Sequence, residues 1–308
     1  MALLSVVLPS YNEEQNISHA VEVLSCLLDK EEIGYELIFV SDGSSDNTFS
    51  EIEKAAAKDS RVKGIEFSRN FGKEAGIFAG LSIALGDCVV VLDCDLQHPP
   101  EKIKEMLALW RDGYEVVEGI KAKRGRESIG HKMSAGLFYV IMSKLIKMDM
   151  TASSDFKLLD RKVVNALLSL SEKNTFFRAL TYWSGFRTTT VEYEVQERQY
   201  GDSKWSIISL MKYAISNATS FSTLPLQLVT VIGVISILFS VVLAIQTLVK
   251  YLLGTAVEGF TTVILLILII GGFLMVSLGI IGHYIARIYE EVKGRPRYLI
   301  SKRTDNVS

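Results

Sequence analysis

Short apolar runs alternate with longer segments of mixed polarity through the N-terminal third of the chain. The runs predict buried strands at Leu3–Leu8, Glu36–Ser41, Val62–Phe67 and Cys88–Leu92. The segments between them predict helices at Glu13–Leu28, Thr48–Lys58 and Lys73–Leu85. Strands that alternate with helices of this length build a mostly parallel sheet with helices on both faces, so the pattern predicts an α/β domain.

Two long uncharged stretches lie near the C-terminal end. No Asp, Glu, Lys or Arg occurs from residue 213 to 249, and from 259 to 286 the only side chain among Asp, Glu, Lys, Arg and His is His283. Each stretch exceeds the roughly 20 residues that a helix needs to cross about 30 Å of hydrocarbon. We therefore predict membrane spans at about 226–249 and 260–284. A buried core helix is the alternative, which two such stretches in tandem disfavour.

Basic residues around these stretches predict their orientation. Residues 250–258 carry one Lys and one Glu, whereas residues 287–308 carry an excess of Lys and Arg. Cytoplasmic flanks of membrane spans are enriched in these residues, so the tail and the N-terminal domain are both expected in the cytoplasm. The expected segments are a folded domain at 1–202, a juxtamembrane segment at 203–224, a transmembrane hairpin at 225–286 and a basic tail at 287–308.

Composition excludes several classes of protein. A net charge of −2 over 308 residues argues against a nucleic-acid binder that relies on bulk basicity. The cysteines, Cys26, Cys88 and Cys94, lack metal-ligand spacing and are too few for a disulfide framework, which fits a reducing compartment. The N-terminal run MALLSVVLPSYNEE has no basic segment and too short an apolar stretch for a signal peptide.

Polar residues follow each predicted strand, where ligands of parallel α/β sheets bind. Asp42 follows the second strand, and Asp93 and Asp95 follow the fourth. Because side chains alternate along a strand, Asp93 and Asp95 can point the same way and present oxygen ligands suited to Mg²⁺ or Mn²⁺. Such spacing alone is common in surface loops, but its place at the end of a buried strand favours a metal site. The glycine-rich signatures of dinucleotide-binding and P-loop proteins are absent.

These motifs resemble the family-2 glycosyltransferases of GT-A fold, a Rossmann-like fold. The matching runs are VVLPSYNEEQNI, VSDGSSDNT, SRNFGKEAGIFAGLSIALGD and LDCDLQHPPE within residues 5–101, then DFKLLDRKV at 155–163, ERQYGDSKW at 197–205, FSTLPL at 221–226 and HYIARIYEEVKGRPRYLI at 283–300. The resemblance is greatest to polyisoprenyl-phosphate glycosyltransferases, namely bactoprenol glucosyltransferases and, more distantly, dolichol-phosphate mannose synthases. The Q-x-x-R-W motif of processive polysaccharide synthases is absent.

The resemblance implies inverting transfer of a hexose, expected to be glucose from a UDP-sugar, to polyprenyl (undecaprenyl) phosphate at the cytoplasmic leaflet of a bacterial inner membrane. It implies that Asp93 and Asp95 hold Mg²⁺ or Mn²⁺, and that Asp155, Asp95 and Gln97 form the catalytic centre. Because a phosphate monoester is largely ionised at neutral pH, we expect Asp155 to position substrate first and accept a proton second. The residues that the resemblance assigns to the donor nucleotide are Pro9, Tyr11, Asn12, Glu14, Asp42, Ser44, Lys73 and Asp93.

An anionic acceptor beside acidic residues needs basic partners. The residues assigned to the acceptor phosphate are Lys121, Arg124, Arg126, Lys132, Ser134, Arg198, Ser203 and Lys204. The family usually has Arg where Lys121 stands, and Lys lacks the bidentate fork. A solvated basic loop, or a surface for anionic lipid headgroups, is the alternative interpretation of residues 121–132.

Two further segments, 128–148 and 205–221, mix apolar and basic residues as helices in the membrane interface do, with soluble core helices as the alternative. His98 is expected to pack beside the metal rather than bind it. The resemblance also suggests a homo-oligomer, with a tetramer as one option. An aminosugar donor, a different lipid acceptor, or an inactive membrane scaffold are the rival functions.

Overall fold

The computed structural model describes residues 2–31, 33–121, 154–172, 176–194, 224–253 and 259–307. The chain divides into two compact units. The first comprises Met1–Ser206 together with Pro296–Ser308, and the second comprises Ile207–Arg295. The segments at 128–148 and 205–221, which we predict to lie in the membrane interface, are outside the described residues.

An eight-stranded sheet forms the centre of the first unit, in the order β7-β5-β6-β4-β1-β2-β3-β8. Strands β1, β2, β3 and β4 are mutually parallel, as are β5 and β7, whereas β6 and β8 run antiparallel to their neighbours. The mostly parallel sheet predicted from the sequence is therefore confirmed. The strands are β1 (Leu3–Ser10), β2 (Gly34–Ser41), β3 (Val62–Phe67), β4 (Cys88–Val91), β5 (Val116–Lys121), β6 (Lys157–Asp160), β7 (Thr188–Tyr193) and β8 (Ile300–Arg303).

Helices cover both faces of this sheet. On β1, Leu4, Val6 and Leu8 belong to one apolar core with residues of α1, α2 and α4, while Val7 faces α3. Helix α3 lies so close to β1 that a Cβ on Gly80 would be 2.2 Å from Val7 Cγ1, a separation only glycine allows. The helices are α1 (Ile17–Leu28), α2 (Thr48–Lys58), α3 (Lys73–Ile83), α4 (Lys102–Arg111), α5 (Arg161–Ser169) and α6 (Phe177–Trp183).

Two helices are shorter than the sequence predicts, and a hydrogen bond beside each shortened end accounts for the difference. Helix α1 begins at Ile17 rather than Glu13, because the backbone N–H of Glu13 donates to Thr48 Oγ1 (2.8 Å) and holds this stretch in a loop. Helix α3 ends at Ile83 because Ala84 is extended and the N–H of Leu85 donates to buried Glu36 (2.6 Å).

The C-terminal segment returns to the sheet of the first unit. Strand β8 pairs antiparallel with β3, and the N–H of Gly64 donates to Thr304 Oγ1 at 2.9 Å just beyond it. Before β8, the ring of Tyr298 stacks on Phe67 with 4.9 Å between centroids. Residues that the sequence indicates only as a basic tail thus contribute an edge strand.

Two long apolar helices, α7 (Leu224–Leu252) and α8 (Phe260–Val292), make up the described part of the second unit. Their most apolar stretches, Val229–Lys250 and Ile269–Val292, have mean hydropathies of 2.5 and 1.9, and neither is buried within the protein. At about 1.5 Å per residue, each helix exceeds the roughly 30 Å of a bilayer core. Both stretches predicted to span a membrane are confirmed as helices of spanning length.

Candidate active site

An ion-pair cluster lies where β4 ends and β6 begins. Asp93 follows β4 and Asp155 precedes β6, and these adjacent antiparallel strands place Val91 opposite Lys157. The two carboxylates are therefore close together. Lys73, the first residue of α3, contacts both: its Nζ lies 2.6 Å from Asp93 Oδ1 and 2.8 Å from Asp155 Oδ2. The structure thus unites three residues that the sequence indicates separately.

Asp155 also accepts a bidentate contact from Arg178 on α6. The Nε of Arg178 lies 2.7 Å from Oδ1, and a terminal nitrogen of its guanidinium donates to Oδ2 at 3.0 Å. Burial alone would raise the pKa of Asp155, but Lys73 and Arg178 hold it well below its ordinary value. Asp155 is consequently ionised at neutral pH and contacts a cation with each of its oxygens. Whether it positions substrate or accepts a proton stays a prediction.

Opposed effects also act on the other two members of the cluster. Burial would raise the pKa of Asp93, yet Lys73 keeps it below its ordinary value. Desolvation would lower the pKa of Lys73, but the two carboxylates raise it above its ordinary value. The site therefore presents a permanent ammonium group between two permanent carboxylates.

Glu74 links α3 to α6 beside this cluster. Its Oε2 accepts the backbone N–H of Phe177 at 2.8 Å. Burial, reinforced by repulsion from Asp155, raises the pKa of Glu74 to about 8. Neither Glu74 nor Arg178 is among the site residues predicted from the sequence. Glu74 lies within the run SRNFGKEAGIFAGLSIALGD, but its contact with Phe177 joins distant parts of the chain, and Arg178 lies outside the matching runs.

Asp42 fixes the loop that leads into α3. Its carboxylate is buried and accepts the backbone N–H groups of Phe71 (2.6 Å) and Gly72 (2.9 Å). Burial raises the pKa of Asp42 although these bonds oppose the shift. The adjacent Gly43 has φ of +60°, and a Cβ there would lie 2.2 Å from the carbonyl carbon of Arg69. This loop therefore requires glycine at 43 to bring Asp42 beneath the start of α3.

Three predicted donor-binding residues join the loops after β1 and β2. Asn12, with a positive φ of 56°, donates its backbone N–H to Ser44 Oγ and accepts that of Ser45 on its side-chain oxygen (2.8 Å). Glu14 accepts the N–H of Asn47 at 3.0 Å. These bonds make one rigid rim from two strand ends. Contact of Asn12, Glu14 and Ser44 with a nucleotide stays a prediction.

The remaining donor candidates lie at the same edge of the sheet. Pro9 is half-buried near the end of β1, and the ring of Tyr11, just beyond it, is 45% exposed. An exposed aromatic face at this position can stack against a flat ring system. Their roles toward a donor likewise stay predictions.

The turn after β4 carries the residues predicted to bind metal. Asp95 Oδ1 accepts the N–H of Gln97 (3.2 Å), and Leu96 between them has a φ of +50°, unusual for a branched residue. Among the described residues no group of three or more His, Cys, Asp or Glu could hold a metal ion. Two carboxylates nonetheless fit Mg²⁺ or Mn²⁺, because such an ion completes its shell with water and substrate phosphates. Metal binding by Asp93 and Asp95, and any catalytic role of Gln97, stay predictions.

His98 packs behind Asp93. Its ring stacks on Phe156 (5.4 Å between centroids) and meets the edge of Tyr193 (5.3 Å), and its Nδ1 lies 3.8 Å from Asp93 Oδ2. That nitrogen has no hydrogen-bond partner among the described residues. Burial lowers the pKa of His98, so the imidazole is neutral. This placement agrees with a packing role beside the strand end.

The residues predicted to bind the acceptor phosphate are mostly beyond what the structure describes. Lys121 is exposed at the end of β5. The others, which lie outside the described ranges, are Arg124, Arg126, Lys132, Ser134, Arg198, Ser203 and Lys204.

The fold of the first unit defines a class of protein. The crystal structure of Mycobacterium tuberculosis glucosyl-3-phosphoglycerate synthase superposes with a TM-score of 0.51 at 20% identity, over 72% of this chain and 81% of that one. At this identity the likeness concerns the fold alone. The first unit has a GT-A-like glycosyltransferase fold.

Sequence comparison identifies the family within that class. Residues 5–168 match the family described as Glycosyl transferase family 2, and the chain belongs to this family. The chain is 42% identical over 302 residues to the putative glycosyltransferase CsbB of Bacillus subtilis (strain 168), covering 97% of this chain and 92% of that protein. It is 36% identical over 304 residues to the SfII prophage-derived bactoprenol glucosyl transferase of Shigella flexneri, covering 97% of each.

Proposed function

We propose that this glycosyltransferase moves glucose from UDP-glucose to a polyprenyl phosphate, giving a polyprenyl-phosphate sugar. The observation that carries the proposal is the joining, in one chain, of a GT-A-like domain to two helices of membrane-spanning length. An acceptor that stays in the bilayer requires such an anchor. The choice of glucose and of a polyprenol comes from the relatives named bactoprenol glucosyl transferase.

The chemistry at Asp155 supports a phosphate acceptor. In the proposed step a phosphate oxygen forms a bond to the anomeric carbon, the bond from that carbon to the nucleoside diphosphate breaks, and the configuration inverts. A phosphate monoester needs little help to lose its proton at neutral pH. Because both oxygens of Asp155 contact cations, its carboxylate orients groups and removes no proton.

The leaving diphosphate calls for positive charge near Asp93. Asp93 and Asp95 would hold Mg²⁺ or Mn²⁺ there, and the ion would neutralise charge on the leaving group. Lys73 adds a fixed ammonium 2.6 Å from Asp93 Oδ1. At the neighbouring strand ends, Tyr11 offers an exposed ring for the nucleobase, and the loop held by Asp42 lies before the start of α3.

The return of the chain to the sheet supports a hairpin topology. Strand β8 follows α8 and pairs with β3, which supports a topology in which the chain before α7 and the chain after α8 are on the same side of a membrane. Two crossings satisfy that condition. The excess of Lys and Arg in residues 287–308 favours the cytoplasm as that side.

The test is transfer of label to lipid. Full-length protein in lipid nanodiscs would receive Mg²⁺ or Mn²⁺, undecaprenyl phosphate and, in separate reactions, labelled UDP-glucose, UDP-N-acetylglucosamine, GDP-mannose and dTDP-glucose. We expect labelled lipid from UDP-glucose, dependent on the added acceptor. Label from UDP-N-acetylglucosamine alone would identify an aminosugar transferase. Folded protein without product from any donor would contradict the proposal and favour an inactive scaffold.

A further inference from the structure

Asp155 lies within a closed ring of contacts made by two helices. Helix α3 supplies Lys73, which contacts Asp155, and Glu74, which accepts the N–H of Phe177. Helix α6 supplies Phe177 and, next to it, Arg178, which contacts Asp155 in turn. Each helix thus touches the carboxylate directly and is bonded to the other.

The backbone and the side chain of Asp155 are fixed by different groups. Next to it, Ser154 Oγ donates to the carbonyl of Gly119 on β5 (2.5 Å), and Phe156 accepts the N–H of Gly119 (2.8 Å), so the sheet holds the main chain. The carboxylate itself can still rotate about its side-chain bonds. A planar guanidinium that contacts both oxygens removes this rotation, whereas an ammonium acts as a point charge and does not.

We propose that Arg178 is a positioning residue for the transfer reaction, holding the Asp155 carboxylate in the orientation that keeps Lys73 beside Asp93. The inference rests on the proposed function. A buried ion pair contributes little net stability relative to apolar residues of the same size, although loss of one partner leaves a buried charge and destabilises the fold. Arg178 influences Asp93 indirectly. It contacts Asp155, Asp155 contacts Lys73, and Lys73 contacts Asp93.

The contacts separate Arg178 from the loops predicted to bind the nucleotide. Those loops follow β1 and β2, and their bonds involve Asn12, Ser44 and Asp42 without any member of α6. Of the residues predicted to bind the donor, only Lys73 and Asp93 are linked to Arg178 through Asp155. Loss of Arg178 is therefore expected to lower kcat by a larger factor than it changes the KM for the donor. If Arg178 had a purely structural role, its loss would lower the amount of folded enzyme but would not lower the kcat of the enzyme that folds.

The test compares Arg178→Ala and Arg178→Lys with Arg187→Ala in full-length protein in nanodiscs. Arg187→Ala is the matched control, because it also removes an arginine side chain, here an exposed one that lies over the ring of Tyr114. We expect Arg178→Ala to lower kcat about 100-fold with a donor KM within about threefold of the wild type, as for a misplaced group. Methylguanidinium should restore part of that kcat, and NaCl at equal ionic strength should not.

Arg178→Lys decides the matter if Arg178→Ala does not fold. This variant keeps the positive charge but cannot contact both oxygens of Asp155 as a guanidinium does. A fall in kcat of about tenfold at an unchanged thermal midpoint would support the proposal. Wild-type kcat in either folded Arg178 variant would overturn it. A wild-type enzyme inactive with every donor would instead contradict the proposed function, so the two failures are distinguishable.

Discussion

The guanidinium carbon of Arg297 lies 4.9 Å from the centre of the Phe78 ring. Phe78 belongs to α3, the helix that begins with Lys73, and Arg297 also donates to the backbone carbonyls of Leu170 and Glu172 after α5. The segment that follows α8 thus contacts α3, the helix that supplies Lys73 to the ion-pair cluster.

Replacement of Arg297 by Ala is expected to destabilise the first unit. It removes a cation–π contact and two charge-assisted hydrogen bonds, a loss of about 1–3 kcal/mol. A lower thermal midpoint in detergent solution would show this. Lys54→Ala is the control, because its pair with Glu51 is 63% exposed on the lysine side and is worth at most about 1 kcal/mol. Equal midpoints for the two variants would contradict the prediction.

Replacement of Lys73 by Gln is expected to reduce kcat about 100-fold or more. The change leaves Asp93 and Asp155 without the ammonium that joins them and removes positive charge from the site. Labelled-lipid formation measures the effect, with the thermal midpoint as a check on folding. Lys102→Gln, which breaks a surface pair with Glu105, should leave kcat unchanged. A folded Lys73→Gln enzyme with kcat within about threefold of wild type would refute this role.

Asp95→Asn is expected to weaken metal binding while preserving the turn. The amide oxygen of Asn can still accept the N–H of Gln97, but one carboxylate charge is lost. We expect the affinity for Mn²⁺, measured by the electron paramagnetic resonance of the free ion, to fall at least about tenfold. Asp112→Asn, at the exposed end of α4, is the control. Undiminished Mn²⁺ affinity in Asp95→Asn would remove Asp95 from the metal site.

The raised pKa of Glu74 predicts how the stability of the folded protein depends on pH. Its pKa rises from an ordinary 4.5 to about 8 on folding, so between these values the native state keeps a proton that the unfolded chain has lost. Stability from this group therefore falls as pH rises through that range. Glu74→Gln is neutral throughout and should show a flatter thermal midpoint between about pH 5 and pH 8.

The matched control for that experiment is Glu105→Gln. Glu105 pairs with Lys102 on the surface of α4, and this variant should keep the wild-type dependence of the midpoint on pH. Identical curves for wild type and Glu74→Gln would show that Glu74 is not protonated in the native state.

Local sequence patterns were enough to predict the strands at the centre of the sheet. The LIFV segment of β2 and the whole of β4 (CVVV) are continuous apolar runs because both of their faces are buried, and such runs are visible in a single sequence. The rule that ligands bind beyond strand ends then identified Asp42, Asp93 and Asp95 as candidates. The structure places all three at that edge.

Elements and contacts that depend on distant pairing were not predictable in this way. Strand β8 reads ISKR, with three exposed residues and no apolar run, and it is a strand only because β3 offers an unpaired edge. Arg178 lies in the segment FFRAL without a motif, and only the fold brings it to Asp155. The bonds of Asn12 to Ser44 and Ser45 likewise require two loops to meet.

The late position of β8 in the chain has a consequence for biosynthesis. The edge of β3 is available as soon as the N-terminal strands emerge from the ribosome, but its partner is translated only after both long helices. An open strand edge is a site for wrong pairing with other chains. Newly made protein thus acquires its finished sheet only after both hydrophobic helices have been synthesised.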